Sequence, residues 1–243
     1  KIQGYDAKYA NKKGYSKHKP ALPLYDGDDV KHTVKLFSEK PRGKWFSPAE
    51  PIWMRFHDAG HLLGSSMIEV EIRDSEPPLK ILFSGDVGRY DGPLYFDPSP
   101  PSDCDYLICE STYGDRDHPE TDLLDSLEEV VNRSIKRGGV MLLASFAIGR
   151  AQQFIYLLQL LKNDDRIPDL PIYLDSPMSC NATSIYKEHS DDHDLSEGEL
   201  DAQHPVLAGP NVHLCRSTDE SKALNHVKGP AIIISSSGMM TGG

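Results

Sequence analysis

The sequence predicts an α/β protein whose second half carries a largely parallel sheet. Beyond residue 120, helix-like and strand-like patterns alternate along the chain. Strands joined through helices pair in parallel and place those helices on the sheet faces. Between residues 51 and 112 the apolar runs are short and strand-like, with no helical pattern between them. No internal repeat or low-complexity segment competes with this reading.

Residues 1–50 are polar and rich in Lys, Tyr and Pro. Helices are expected over 4–13 and 27–37. In the second, Asp28 or Asp29 starts the turn, and Val30, Val34 and Phe37 make an apolar stripe. Strands are expected at 51–57, 66–72 and 79–84; in 66–72, Met67, Ile68, Val70 and Ile72 interleave with Glu69 and Glu71. A further strand, Tyr106-Leu107-Ile108-Cys109, ends at Glu110. Leu123, Leu124, Leu127, Val130, Val131 and Ile135 recur at helical spacing over 121–137, and Gly138-Gly139 stops them. Strand 140–145, helix 149–162, strand 171–175, a helix near 180–188, a polar loop at 190–210, a short helix at 218–226 and strand 230–235 complete the order. The boundary between the halves is expected in the loop at 112–118.

The chain has 243 residues, 38% hydrophobic and 26% charged, enough to bury a core in one large domain or two modest ones. No apolar run approaches the roughly 20 residues that cross a bilayer, and the start, Lys1-Ile2-Gln3-Gly4, has no signal-peptide core. A cytoplasmic protein with no membrane partner is therefore expected. Cys104, Cys109, Cys180 and Cys215 show no zinc-ribbon spacing and read as reduced core or surface residues. Both ends read as cuts, since the first residue is not Met and 237–243 stops inside a loop-like stretch. Charge is uneven: residues 1–44 carry a net +6 and the remainder −17. The basic arm (Lys8, Lys12, Lys13, Lys17, Lys19) could touch phosphate, although a solvated face is the ordinary reading of such a run. The acidity of the whole argues that any nucleic acid is gripped locally.

Residues able to carry chemistry gather at strand ends. His57 and His61 are four apart, but Gly60 and Gly64 bracket His61 and strands lie on both sides, so a strand–loop–strand is expected. A histidine in such a loop is placed to coordinate a metal. Asp86 follows the strand 79–84 between Gly85 and Gly88, and a carboxylate there can bridge two cations. Glu110 ends the next strand. Each alone is more often structural; three successive strands ending in His, Asp and Glu are harder to assign to chance. Two loops read as phosphate grips. Ser145-Phe146-Ala147-Ile148-Gly149-Arg150 joins a strand to a helix, and Ser235-Ser236-Ser237-Gly238 follows a strand.

Read in order, HDAGHLLGS, SGDVGR, ESTYGDR, SFAIGRAQ and SSGMMTGG make the chain resemble the β-CASP branch of the metallo-β-lactamase fold. The resemblance covers nearly the whole chain. It implies an incomplete αββα sandwich over 1–114, the C-terminal portion of the first metallo-β-lactamase segment, followed by a β-CASP cap with a mostly parallel sheet over 115–243. It further implies a ribonuclease parent that hydrolyses single-stranded RNA with two zinc ions. By similarity His61 and Asp86 are metal ligands, Asp86 and Glu110 are catalytic, and Arg150 and Ser237 contact phosphate. A homodimer is compatible with the resemblance.

The HxHxDH motif that supplies most other ligands in that family would lie upstream of residue 1, and two later histidine motifs would follow residue 243. His189-Ser190-Asp191-Asp192-His193 sits in a polar loop and does not replace them. The fragment alone is therefore expected to be inactive or nearly so. Two other functions fit the same fold: a non-catalytic RNA-binding or scaffold homologue, and a small-molecule metallo-hydrolase. The motifs from Glu110 onward weigh against the second.

Overall fold

The computed structural model describes residues 2–117, 121–195, 207 and 209–236. It divides into a unit of residues 1–41 and a unit of residues 42–243.

The first unit holds helix α1 (Ile2–Lys13) and helix α2 (Gly27–Val34). The Asn11 side chain ties α1 to the segment that follows it, its amide donating to the Ala21 carbonyl at 2.9 Å while its oxygen accepts the Ala21 N–H at 2.7 Å. Asp26, one residue ahead of the acidic pair expected to start α2, caps the helix and completes a capping box with Asp29. The stripe of Val30, Val34 and Phe37 is exposed, and α2 ends earlier than its apolar spacing suggested.

The larger unit begins with a five-stranded sheet: β1 (Phe46–Ala49), β2 (Ile52–Asp58), β3 (Ser66–Ile72), β4 (Leu79–Phe83) and β5 (Tyr106–Ile108), in that order. Pairing is antiparallel through β4, and β5 runs parallel to β4. Consequently β2, β4 and β5 all end at the same edge. Register places Arg55, Glu69 and Leu82 side by side on one face and Phe56, Ile68 and Phe83 on the other. The first face closes over a small core of Ala59, Met67 and Leu82 with Cys104 against it. The second, with Met54, Val70, Ile81 and Ile108, is half-buried to exposed throughout.

The second sheet comprises β6 (Val140–Ser145), β7 (Ile172–Asp175), β8 (Val212–Cys215) and β9 (Ala231–Ser236), ordered β6-β9-β7-β8 and parallel throughout. Strand β9, whose run Ala-Ile-Ile-Ile is the most apolar, sits inside the sheet, as expected of a strand packed on both faces. Helices α3 (Leu123–Lys136), α4 (Arg150–Asn163) and α5 (Pro177–Glu188) contribute Val131, Ile155, Leu158, Leu161 and Cys180 to a core with Ile172, Leu174, Ile232 and Ile234. Helix α6 (Thr218–Ala223) follows β8. Ile234 is fully buried in a central strand, so Ile234→Ala should cost about 3 kcal/mol in a urea titration. All four cysteines are free thiols. No helix among the described residues is long and apolar enough to cross a membrane.

Two strands were not anticipated. β1 contains Pro48, which reads as a breaker but is tolerated at a sheet edge. β8 is only four residues long and carries His213 between its apolar positions.

Candidate metal and phosphate site

The edge where β2, β4 and β5 end carries the candidate residues. β2 stops at Asp58 and the chain turns through Ala59-Gly60-His61 before β3 begins at Ser66, the strand–loop–strand expected. Asp58 holds the turn from one end: its carboxylate accepts the Gly60 N–H at 3.0 Å and pairs with Arg42 at 2.6 Å. Ser65 holds it from the other, its hydroxyl oxygen accepting both the His61 and Leu62 N–H groups at 3.1 Å. Gly60 adopts φ +64°, and a side chain there would collide with the Phe96 carbonyl and Pro98. The Asp86 loop packs directly on this turn. Gly88 donates its N–H to the Ala59 carbonyl at 2.7 Å, and any Cβ on Gly88 would overlap the Gly60 backbone.

That packing brings His61 and Asp86 together, with Nε2 and Oδ2 4.0 Å apart and both side chains open to solvent. Glu110 is tied to the same loop. Its Oε1 accepts the Val87 N–H at 2.7 Å, its Oε2 accepts the Thr112 hydroxyl at 2.7 Å, and its own N–H donates to the Ser84 hydroxyl at 3.0 Å. The Val87 N–H first, then the Thr112 hydroxyl, hold the Glu110 carboxyl below its ordinary value of 4.5, with the nearby His61 adding to the effect. Because the folded pKa is depressed, this clamp contributes stability above the ordinary carboxylate pKa. That contribution is lost as pH falls through the lower folded value. Thr112→Val should move the Glu110 carboxyl back toward 4.5, a shift read by carbon-13 NMR titration.

The remaining candidates separate. Arg150 is the first residue of α4, exposed, with its guanidinium donating to Gln153 at 2.7 Å. Ser237 lies outside the described residues. His57 faces the other way along the sheet, bonded to the buried Glu69 carboxylate at 2.6 Å. His193 is buried, its Nε2 2.9 Å from the Tyr186 carbonyl. Asp175-Ser176-Pro177-Met178 is a helix start: Ser176 caps α5 and Asp175 accepts a hydrogen bond from Ser221 at 3.1 Å. Sequence reasoning missed Ser65, Ser84 and Thr112 as positioning groups. Their hydroxyls act on backbone or on a carboxylate two residues away, and the sole signal was their place beside the candidates.

As a metal site, imidazole and carboxylate across 4.0 Å are donors of the right kind for zinc or a similar borderline cation. They are too few, because the described residues contain no group of three His, Cys, Asp or Glu that could hold an ion, and metal sites use at least three protein ligands.

Residues 151–243 match the Beta-Casp domain. The chain is 30% identical over 228 residues to ribonuclease TTHA0252 of Thermus thermophilus, a match covering 91% of this chain and 50% of that protein. It is 31% identical over 229 residues to the transcription termination factor FttA of Thermococcus kodakarensis, covering 91% and 34%. It is 30% identical over 190 residues to cleavage and polyadenylation specificity factor 73 of Drosophila melanogaster, covering 76% and 26%. The chain belongs to the β-CASP family of the metallo-β-lactamase fold, and it spans half or less of the length of these relatives.

Proposed function

We propose that this chain is the central part of a metal-dependent ribonuclease that hydrolyses phosphodiester bonds of single-stranded RNA. The observation that carries the reading is the meeting of His61, Asp86 and Glu110 at one sheet edge, in a chain related to a ribonuclease. In this reading residues 1–114 belong to the metallo-β-lactamase segment and 115–243 form the cap. His61 and Asp86 supply part of the ligand set for zinc, and the remaining ligands come from outside these 243 residues. When bound, the metal supplies a Lewis acid that offsets charge developing on the phosphate.

The chain's own residues do the rest. Arg150, at the N-terminal end of α4, offers an exposed guanidinium to a phosphate, which fixes the register of the strand. Ser237 is assigned a second phosphate contact. Glu110 is held ionised by Val87 and Thr112. It therefore acts as a hydrogen-bond acceptor that orients a cationic partner, such as a histidine protonating the leaving oxygen, and not as the proton donor itself. The protein works in the cytoplasm, and a homodimer, tested by light scattering, belongs to the same reading.

One observation favours a non-catalytic RNA-binding homologue instead: the shortage of ligands among the described residues. Zinc content decides between the two. A chain extended at both ends should carry about two zinc ions and degrade single-stranded RNA, while the 243-residue chain should hold almost none and be inactive. Zinc-free protein in both forms, with RNA binding retained, would establish the non-catalytic reading.

A further inference from the structure

Several contacts converge on the two residues that follow His61. Gly149 precedes α4 with φ +84°, and a methyl group built on it would overlap Leu62 Cδ2 and lie 3.2 Å from Tyr95 Oη. Leu63 packs against the buried cluster of Leu94, Tyr186, Leu195 and Leu207. The Tyr95 and Tyr186 hydroxyls are 2.7 Å apart. Burial holds both phenols above their ordinary range, so this is a contact between neutral groups.

Gly149 is fixed from behind. Its N–H donates to Gln152 Oε1 at 2.8 Å, and the fully buried Gln152 amide donates in turn to Thr183 Oγ1 at 3.0 Å and to the Ser179 carbonyl at 3.2 Å. Leu62 is fixed less firmly. It meets Gly149 with the end of a flexible side chain, and its own loop is held chiefly by the Ser65 hydroxyl. Close-packed contacts of this kind transmit displacement instead of absorbing it. A change at Gly149 therefore reaches Leu62, with His61 one peptide bond away. In the other direction, a change at Leu62 reaches the start of α4, with Arg150 one peptide bond away.

We propose that Leu62 and Gly149 form a positioning joint that fixes the His61 loop against the start of α4, so that the metal-ligand side and the phosphate side of the site hold one relative geometry. The joint rests on the roles given to His61 and Arg150 above. Neither Leu62 nor Gly149 touches substrate or metal; each acts through its neighbour, as outer-shell groups act on metal ligands.

Amide hydrogen exchange on the 243-residue chain tests the joint without any metal. Leu62→Ala should speed exchange at the Gly149 amide, and Gly149→Ala should speed exchange at the Leu62 and Ser65 amides, each about tenfold. In the double variant the alanine methyl occupies the space Leu62 vacated, so the Leu62→Ala/Gly149→Ala protein should exchange more slowly at Ser65 than Gly149→Ala alone. Leu62→Ala introduces no backbone strain, and it keeps the test decisive if Gly149→Ala fails to fold. Changes confined to the substituted loop in Leu62→Ala would overturn the joint. In the extended protein, Leu62→Ala should weaken zinc binding about tenfold against a chromophoric chelator; unchanged affinity would equally overturn it. If the unsubstituted extended protein takes up no zinc, the functional reading falls, and the exchange result still decides the joint.

Discussion

Glu69→Gln is expected to destabilise the larger unit by about 3 kcal/mol. Glu69 is 3% exposed in the middle of β3, and its Oε2 accepts hydrogen bonds from Arg55 Nε at 3.0 Å, Arg55 Nη2 at 2.7 Å and Ser102 at 3.2 Å, with His57 Nε2 2.6 Å away. The amide keeps the shape but removes the charge that the guanidinium faces. The loss falls at the low end of the range for broken buried pairs because Arg55 itself reaches solvent. Burial raises the Glu69 pKa, but hydrogen bonds from His57 and Arg55 outweigh it and leave the carboxyl below 4.5. A depressed folded pKa means the contribution is complete above 4.5 and disappears as pH falls through the lower folded value. Urea titrations should therefore show the deficit of Glu69→Gln at neutral pH and its shrinkage in acid. A neutral-pH deficit under about 1 kcal/mol would mean that the hub behaves as a solvent-screened pair.

Asp86→Asn is expected to do the reverse, leaving stability almost untouched while removing function. Its side chain is 77% exposed and its close ionic neighbour among the described residues is His61 at 4.0 Å, so the 243-residue chain should lose no more than about 0.5 kcal/mol. In the extended protein the same change should lower zinc affinity and RNA cleavage by more than about 100-fold, a larger effect than altering a group that merely orients a ligand. His61→Ala should behave alike. Cleavage within a few-fold of the unsubstituted protein would remove Asp86 from the ligand set.

Much of this site was legible because its residues sit where strands stop. The apolar runs at 66–72 and 79–84 located the strands to within a residue, and Asp86 and Glu110 then followed from the ends of runs. His61 was legible through the glycines around it. Glu69 was not legible as a hub. Alternation marks it as polar on its face, but burial depends on Arg55 and His57 arriving from β2 in one register, which no local pattern encodes. The Gly88–Gly60 and Gly149–Leu62 contacts were hidden for a related reason: each joins loops far apart in sequence, where glycine records that something is close without recording what. In the unit of residues 1–41, helical periodicity marked both helices, but it ran past the end of α2 at Val34, and the stripe of Val30, Val34 and Phe37 is exposed.

The two tryptophans of the chain give the arginine-lined corner of the five-stranded sheet a practical use. Trp45 lies under Arg55 and Arg73, at 4.7 and 5.1 Å, and Arg73 also stacks on Trp53 at 4.4 Å. No indole occurs from residue 54 onward, so none belongs to the parallel sheet. Emission excited at the red edge of the indole band is thus an optical label confined to one sheet, built in without chemical modification. Overlaid on a far-ultraviolet melt, which weighs the helices around the other sheet, it shows whether the two sheets come apart together or in turn.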